Sequence, residues 1–239
     1  MRIDKNHWLI TKPIAHRGLW GGDIVENSLS AYQNAANNGY PIEIDVYITK
    51  DGELVSFHDQ TLSRMTGVDG NVFDKTLNQL QTLRLAGSDQ TIPTLEQVLE
   101  IAENKSPLLI EIKDQPNKKV VDKLVERLKN YKGDFAVQSF NPFYIARVKK
   151  LAPEFIRGVL ANPVAKHKKP LQRWTIRKMP FNFLAKPDFL SIFHGSLPVK
   201  KSKAKNCRII TWTVTNQATA DKIKPYAENV IFERFIPKR

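Results

Sequence analysis

Short apolar runs rich in β-branched residues alternate along this chain with stretches whose apolar positions recur every three and four residues. The first pattern is that of strands buried on both faces of a parallel sheet, and the second that of helices covering it. Eight runs qualify as strands: 14–16, 42–46, 108–112, 135–140, 156–160, 189–193, 209–214 and 230–232. Eight parallel strands joined by crossover helices make a (β/α)8 TIM-type barrel, which is the fold class expected here.

The intervening helices carry their own punctuation. The helix over 28–38 places Leu29, Tyr32, Ala35 and Ala36 on one face and stops at Gly39. Thr94 and Gln97 have capping-box spacing ahead of Leu95, Val98, Leu99 and Ala102. Asn141-Pro142 reads as an N-cap followed by the first helical residue, and Asn216 caps a helix running toward Tyr226. One segment breaks the alternation. Asp51-Gly52 is a hairpin turn signal, so the second strand continues past residue 46, reverses, and returns His58-Asp59 toward the level of Glu43 and Asp45. The expected organisation is one domain over 1–239 with a small insertion, or cap, over 47–92.

At 239 residues the chain has the length of one such barrel and needs no staples to build its core. The single Cys207 excludes an intramolecular disulfide framework, fits a reducing compartment, and precedes an apolar strand, where it reads as packing. Residues 1–12 lack the apolar core of a signal peptide, and no run of about 18 apolar residues occurs, so the expected location is cytoplasmic. The net charge of +13 is concentrated in 166–178 and 200–205. The first stretch holds His167, Arg173, Trp174 and Arg177, with Phe181 and Phe183 just beyond. Basic residues beside aromatics suit weak contact with an anionic membrane surface, although a solvated face is the commoner fate of a charge run. No nucleic-acid-binding signature accompanies the charge, so no nucleic-acid partner is expected. Nothing in the pattern speaks to oligomeric state.

Candidate chemistry lies at the strand ends. Glu43 and Asp45 sit one residue apart in an apolar strand and so face the same way, and Glu111 recurs in the same setting. Neighbouring buried carboxylates repel, and two remedies are open: pairing with Lys or Arg, or an oxygen-bound divalent cation. Two acid-bearing strands favour the cation. The same strand ends present His16, Arg17, Gly18, His58, Asp59, Lys113, Gln138, Ser139 and Trp212. Arg17 suits bidentate binding of phosphate oxygens, and Lys113 suits them as a point charge. Two histidines can share general-base and general-acid roles, with Asp59 orienting His58 or the backbone turn. Phosphodiester cleavage is the reaction class that uses all of these.

In order, the chain carries His16-Arg17-Gly18, Glu26-Asn27, Glu43-x-Asp45, the turn Thr49-Lys50-Asp51-Gly52, and His58-Asp59 with Leu62 and Arg64. Pro93-Thr94-Leu95, Glu111-x-Lys113 and Trp212-Thr213-Val214 follow. This ordered set resembles the glycerophosphodiester phosphodiesterase family, in its soluble bacterial form with a short insertion, over nearly the whole length. The resemblance implies a (β/α)8 barrel that hydrolyses glycerophosphodiesters to sn-glycerol 3-phosphate and an alcohol, a step of lipid and glycerol metabolism. It implies catalytic roles for His16 and His58, and Mg²⁺ or Ca²⁺ held by Glu43, Asp45 and Glu111. It places Arg17, Asn27, Lys113 and Trp212 at the substrate. The chain departs from the family where Val25 precedes Glu26-Asn27 and in its ending Val230-Ile231-Phe232-Glu233-Arg234, at the floor of the substrate pocket. The alternative reading is a phospholipase D-like enzyme or cyclising lyase acting on lysophospholipids at membranes.

Overall fold

The eight apolar runs are strands in the computed structural model, which describes residues 2–162, 181–199, 204 and 207–238. Apart from Ala204, the basic stretches 166–178 and 200–205 lie outside the described residues, and His167 and Trp174 with them. The strands are β1 (Ile14–Ala15), β2 (Ile42–Ile48), β3 (Leu54–Ser56), β4 (Leu108–Ile112), β5 (Phe135–Ser139), β6 (Arg157–Ala161), β7 (Phe189–Phe193), β8 (Arg208–Val214) and β9 (Asn229–Phe232). Between them run α1 (Trp8–Thr11), α2 (Leu29–Asn37), α3 (Ser63–Thr66), α4 (Leu77–Gln81), α5 (Leu95–Ala102), α6 (Lys119–Leu128), α7 (Pro142–Leu151), α8 (Asn182–Ala185) and α9 (Gln217–Ile223). All strands belong to one sheet, parallel except for the hairpin arm β3, and the alternation with helices is that of a (β/α)8 barrel. Among the described residues no helix is long and apolar enough to cross a membrane.

Two compact units divide the chain. One is Ala15–Phe135; the other joins Met1–Ile14 to Ala136–Arg239. In the first, β2 pairs with β1 through Ala15 and Ile42, and with β4 through five consecutive residues that set Asp45 opposite Glu111. All seven residues of β2 are buried, which is why its sequence shows an unbroken apolar run around two acids rather than simple alternation. The strand is longer than the apolar run because its last residues pair antiparallel with β3, Val46 opposite Ser56 and Ile48 opposite Leu54. The Asp51 carboxylate accepts from the Thr49 hydroxyl at 2.6 Å and from the Leu77 backbone N–H at 3.0 Å, tying the hairpin turn to the start of α4. Tyr47, Val55, Phe57, Leu62, Leu80 and Ile92 are among the residues of one apolar cluster under this segment. α2 starts at Ser28, whose Oγ accepts from the Ala31 N–H at 3.1 Å, and buries Ala31, Tyr32, Ala35 and Ala36. α5 has the full Thr94/Gln97 capping box.

In the other unit, β5 to β9 pair in sequence order, each parallel to the next. Asn141 caps α7 with Pro142 in its first turn, and Asn216 caps α9. The Asn229 amide donates to the carbonyls of Leu9 (2.8 Å) and Lys12 (2.6 Å), fastening β9 to α1. Cys207 packs beside the cluster of Ile145, Val159, Leu190 and Ile192, and its thiol reaches the Pro187 carbonyl at 3.2 Å. Burial, with the Asp188 charge adding to it, pushes that thiol up to about 11, so Cys207 is no nucleophile near neutral pH.

Candidate active site

Side chains two apart on a strand face the same way, and the β2–β4 register adds a third from the neighbouring strand. One oxygen each of Glu43, Asp45 and Glu111 therefore lies within 4.8 Å of the others, with all three residues buried. Lys113 bridges two of them, its Nζ standing 3.1 Å from Asp45 Oδ1 and 2.9 Å from Glu111 Oε1. Ion pairing thus serves Asp45 and Glu111 but leaves out Glu43. Among the described residues no cationic side chain lies within ion-pair distance of Glu43, which accepts the Arg17 backbone N–H at 3.0 Å.

The electrostatics follow from that imbalance. Burial, reinforced by the charges of Asp45 and Glu111, pushes the Glu43 carboxyl well above the usual carboxylate range. Burial raises Glu111 as well. Burial acts upward on Asp45 too, but Lys113, His58, Arg17 and the Asn27 amide outweigh it and hold this carboxyl low. Burial disfavours the Lys113 charge, and Asp45 and Glu111 more than restore it. An all-oxygen, buried cluster with surplus negative charge is the donor set of a hard divalent cation, so these residues fit the group that the sequence implies.

Chain geometry brings the next residues in. β1 stops at Ala15 because Arg17 and Gly18 both take positive φ, +58° and +83°. Asn27 is also left-handed, at +51°, and its N–H bonds the Arg17 carbonyl at 3.0 Å. Non-glycine residues hold that conformation only where their surroundings over-determine it. The Asn27 amide, 3 % exposed, donates to Asp45 Oδ2 at 3.0 Å and accepts from the Tyr32 hydroxyl at 2.7 Å. Both ends of the Asn27 side-chain amide are thus bonded, one to Asp45 and the other to Tyr32. Arg17 Nη1 donates to Glu26 at 2.7 Å. Its Nε is buried, 3.8 Å from Asp45, and without a hydrogen-bond partner among the described residues.

His58 arrives on the segment after β3, where the Phe57 N–H bonds the Asp45 carbonyl at 3.0 Å. Its Nδ1 lies 2.6 Å from Asp59 Oδ1, while Arg64 donates from Nε to Asp59 Oδ2 and from Nη2 to Glu26 Oε1 at 2.6 Å. Alternating charge thus runs from Asp59 through Arg64 and Glu26 to Arg17, with the His58 ring bonded at the Asp59 end. Burial opposes ionisation of Asp59, but the bonds from Arg64 and His58 prevail and keep it charged. The proton of neutral His58 therefore sits on Nδ1, leaving Nε2 with its lone pair. Burial, joined by the charges of Lys113 and Arg17, lowers the His58 pKa against the opposing pull of Asp45 and Asp59. His16 follows β1 directly, half-buried, and its carbonyl accepts the Trp20 indole N–H at 2.9 Å.

Trp212 belongs to the other unit. Its indole N–H donates to the Ser191 carbonyl at 3.0 Å, and its ring stands edge-on to Phe140 and Phe193. Arg64 and Glu26 enter the sequence only as members of motifs, with no role attached. The signal for their joint role is a contact across 38 residues, which periodicity does not carry. Tyr32 reads as core on α2, and only its hydroxyl partner marks it as part of this network.

Comparison with known proteins gives a family. The model of the glycerophosphoryl diester phosphodiesterase family matches residues 16–232. The Bacillus subtilis protein YhdW is 33% identical over 228 residues, covering 88% of this chain and 89% of its own. A glycerophosphodiester phosphodiesterase of Caldanaerobacter subterraneus is 31% identical over 240 residues, covering 92% and 93%. Among solved structures, a phosphodiesterase of Oleispira antarctica in complex with the product sn-glycerol-3-phosphate superposes with a TM-score of 0.80. It is 27% identical and covers 94% of this chain and 93% of its own.

Proposed function

From the premise that this chain belongs to the glycerophosphoryl diester phosphodiesterase family, and so is a phosphoric diester hydrolase, we propose that it cleaves glycerophosphodiesters to sn-glycerol 3-phosphate and an alcohol with a divalent cation at Glu43, Asp45 and Glu111. One observation carries this reading: a buried carboxylate triad within 4.8 Å, beside an arginine whose Nε has no hydrogen-bond partner among the described residues. The product bound in the Oleispira antarctica relative supports the substrate class. Mg²⁺ and Ca²⁺ both suit oxygen donors, and such an ion, when bound, supplies Lewis-acid polarisation of a phosphoryl oxygen.

The chain's own groups do the rest. Arg17, anchored through Nη1 to Glu26, offers its Nε edge to the phosphate oxygens. Lys113 has two carboxylate partners and a third N–H available for the same phosphate. His58 presents Nε2 as the general base, its ring orientation and tautomer held by Asp59, and takes the proton of the attacking water or substrate hydroxyl. His16 protonates the leaving alcohol. Asn27 aims Asp45, and Arg64 positions both His58 and Arg17 through their carboxylate partners. The aromatic surface of Trp212 is assigned to the glycerol or alcohol portion.

The test is glycerol 3-phosphate release from choline, ethanolamine, glycerol and inositol diesters after chelation, with Mg²⁺ or Ca²⁺ then restored. Cation-dependent release is expected, with turnover lowered ~10²–10⁴-fold in His16→Ala and His58→Ala. Near-full turnover in either variant removes that histidine from the mechanism. Silence on every soluble diester, with turnover of lysophospholipid vesicles, would replace the reading by a lysophospholipase D-type activity.

A further inference from the structure

Charge is divided unevenly between the two units. The unit formed by Met1–Ile14 and Ala136–Arg239 holds 24 of the 37 basic residues but only 6 of the 24 acidic ones. The other unit, with Glu43, Asp45 and Glu111, is net acidic. The positive excess of the chain therefore belongs to the sequence of one unit.

That same unit exposes large apolar side chains together. On α7 and α8, Phe143 is 55% exposed, Phe183 69% and Leu184 37%. The two helices meet: the rings of Phe143 and of Phe181, just ahead of α8, are 4.9 Å apart, and Lys149 Nζ donates to the Leu184 carbonyl at 2.6 Å. Neither helix contains an acidic residue, while Arg147, Lys149 and Lys150 lie on α7 and Lys186 follows α8. A single exposed phenylalanine needs no explanation, but three exposed apolar side chains on two contacting helices whose own charges are all basic do.

A bilayer bearing anionic headgroups satisfies both halves of this surface at once. Phosphates meet the cations, and the headgroup–acyl boundary accepts the rings and the leucine. A duplex nucleic acid would satisfy only the charge. We propose that the α7–α8 face docks the protein peripherally on an anionic lipid bilayer, with Phe143, Phe183 and Leu184 entering the interface and the neighbouring lysines and arginine meeting lipid phosphates.

The experiment is co-sedimentation of the full chain with sucrose-loaded vesicles of phosphatidylcholine alone or mixed with phosphatidylglycerol. Binding is expected to the mixed vesicles, to weaken as salt rises, and to fall by about tenfold or more in Phe143→Ser/Phe183→Ser. Lys150→Glu/Lys186→Glu should lose binding comparably. Both pairs are exposed and lie outside the catalytic set, so cleavage of soluble diesters by these variants should match the parent. That cleavage, assayed without vesicles, keeps the docking test separate from the test of the reaction. Equal binding to both vesicle types, or undiminished binding by the phenylalanine pair, would overturn the proposal. Retention on duplex DNA without vesicle binding would overturn it too and assign the charge to nucleic acid.

Discussion

Gly18 follows the histidine and arginine of the site, and the cost of giving it a side chain can be worked out from its surroundings. It sits at φ +83°, and a Cβ there would lie 2.8 Å from the carbonyl carbon and Cβ of Ala31 and 2.9 Å from its oxygen. Ala31 has no room to retreat. It is fully buried, its N–H is held by the Ser28 cap, and its carbonyl accepts the Leu19 N–H at 3.0 Å. Gly39, just past the other end of α2, is the matched control: φ is +71°, and nothing lies within 4 Å of an added Cβ. Gly39→Ala should therefore cost only the left-handed conformation, ~1–2 kcal/mol. Gly18→Ala adds overpacking of ~1–3 kcal/mol, for a total of roughly 2–5 kcal/mol. At about 2–4 °C per kcal/mol for a chain of this size, the Tm should fall by roughly 4–20 °C. Urea unfolding followed by circular dichroism compares the two variants directly. Adding Ala31→Gly to Gly18→Ala should recover only part of the loss, since the backbone atoms of residue 31 remain in the way. Equal losses in Gly18→Ala and Gly39→Ala would refute the steric argument and leave only the dihedral one.

Three further outcomes follow from the site. A divalent cation at a hundredfold excess over its Kd should stabilise the protein by about 2.7 kcal/mol, a Tm rise of roughly 5–11 °C that monovalent salt does not reproduce. Differential scanning calorimetry with and without chelator reads it, and an unchanged Tm would count against the carboxylate triad as a cation site. Glu43→Gln removes the buried acid that lacks a cationic partner among the described residues, so it should raise the Tm of the chelated protein while abolishing the cation-induced rise; destabilisation on chelator would contradict the assigned repulsion. Asp59 and Glu26 both have pKa values held low with the help of Arg64, so they contribute stability above their unfolded values near ~4 that is lost as pH falls through the lower folded ones. Arg64→Ala should therefore lower the urea midpoint at pH 7, with the difference from the parent shrinking below about pH 4. A difference that stays constant down to pH 2 would show that Arg64 acts through packing alone.

Local pattern was enough for much of this protein. Continuous apolar runs marked the eight parallel strands because a strand covered on both faces admits little else, and Ser28, Thr94, Asn141 and Asn216 marked helix starts because orphan N–H groups need a side-chain acceptor there. The two-residue spacing of Glu43 and Asp45 set both on one side of β2, since strand geometry alone dictates it. The Asp51-Gly52 turn also announced the extension of β2 into its pairing with β3, whereas exact strand ends were less legible: β6 runs one residue later than its apolar pattern, and β9 starts one residue earlier. Tertiary structure alone decided which charges meet. Lys113 joins Asp45 and Glu111, and leaves out Glu43, because of a parallel register that pairs residues 66 apart in the chain. Arg64 links His58 to Arg17, and Asn27 turns inward to Asp45 through a left-handed backbone. Periodicity reports the face on which a side chain lies; the partner across that face comes from long-range packing, which the order of residues in one segment does not encode.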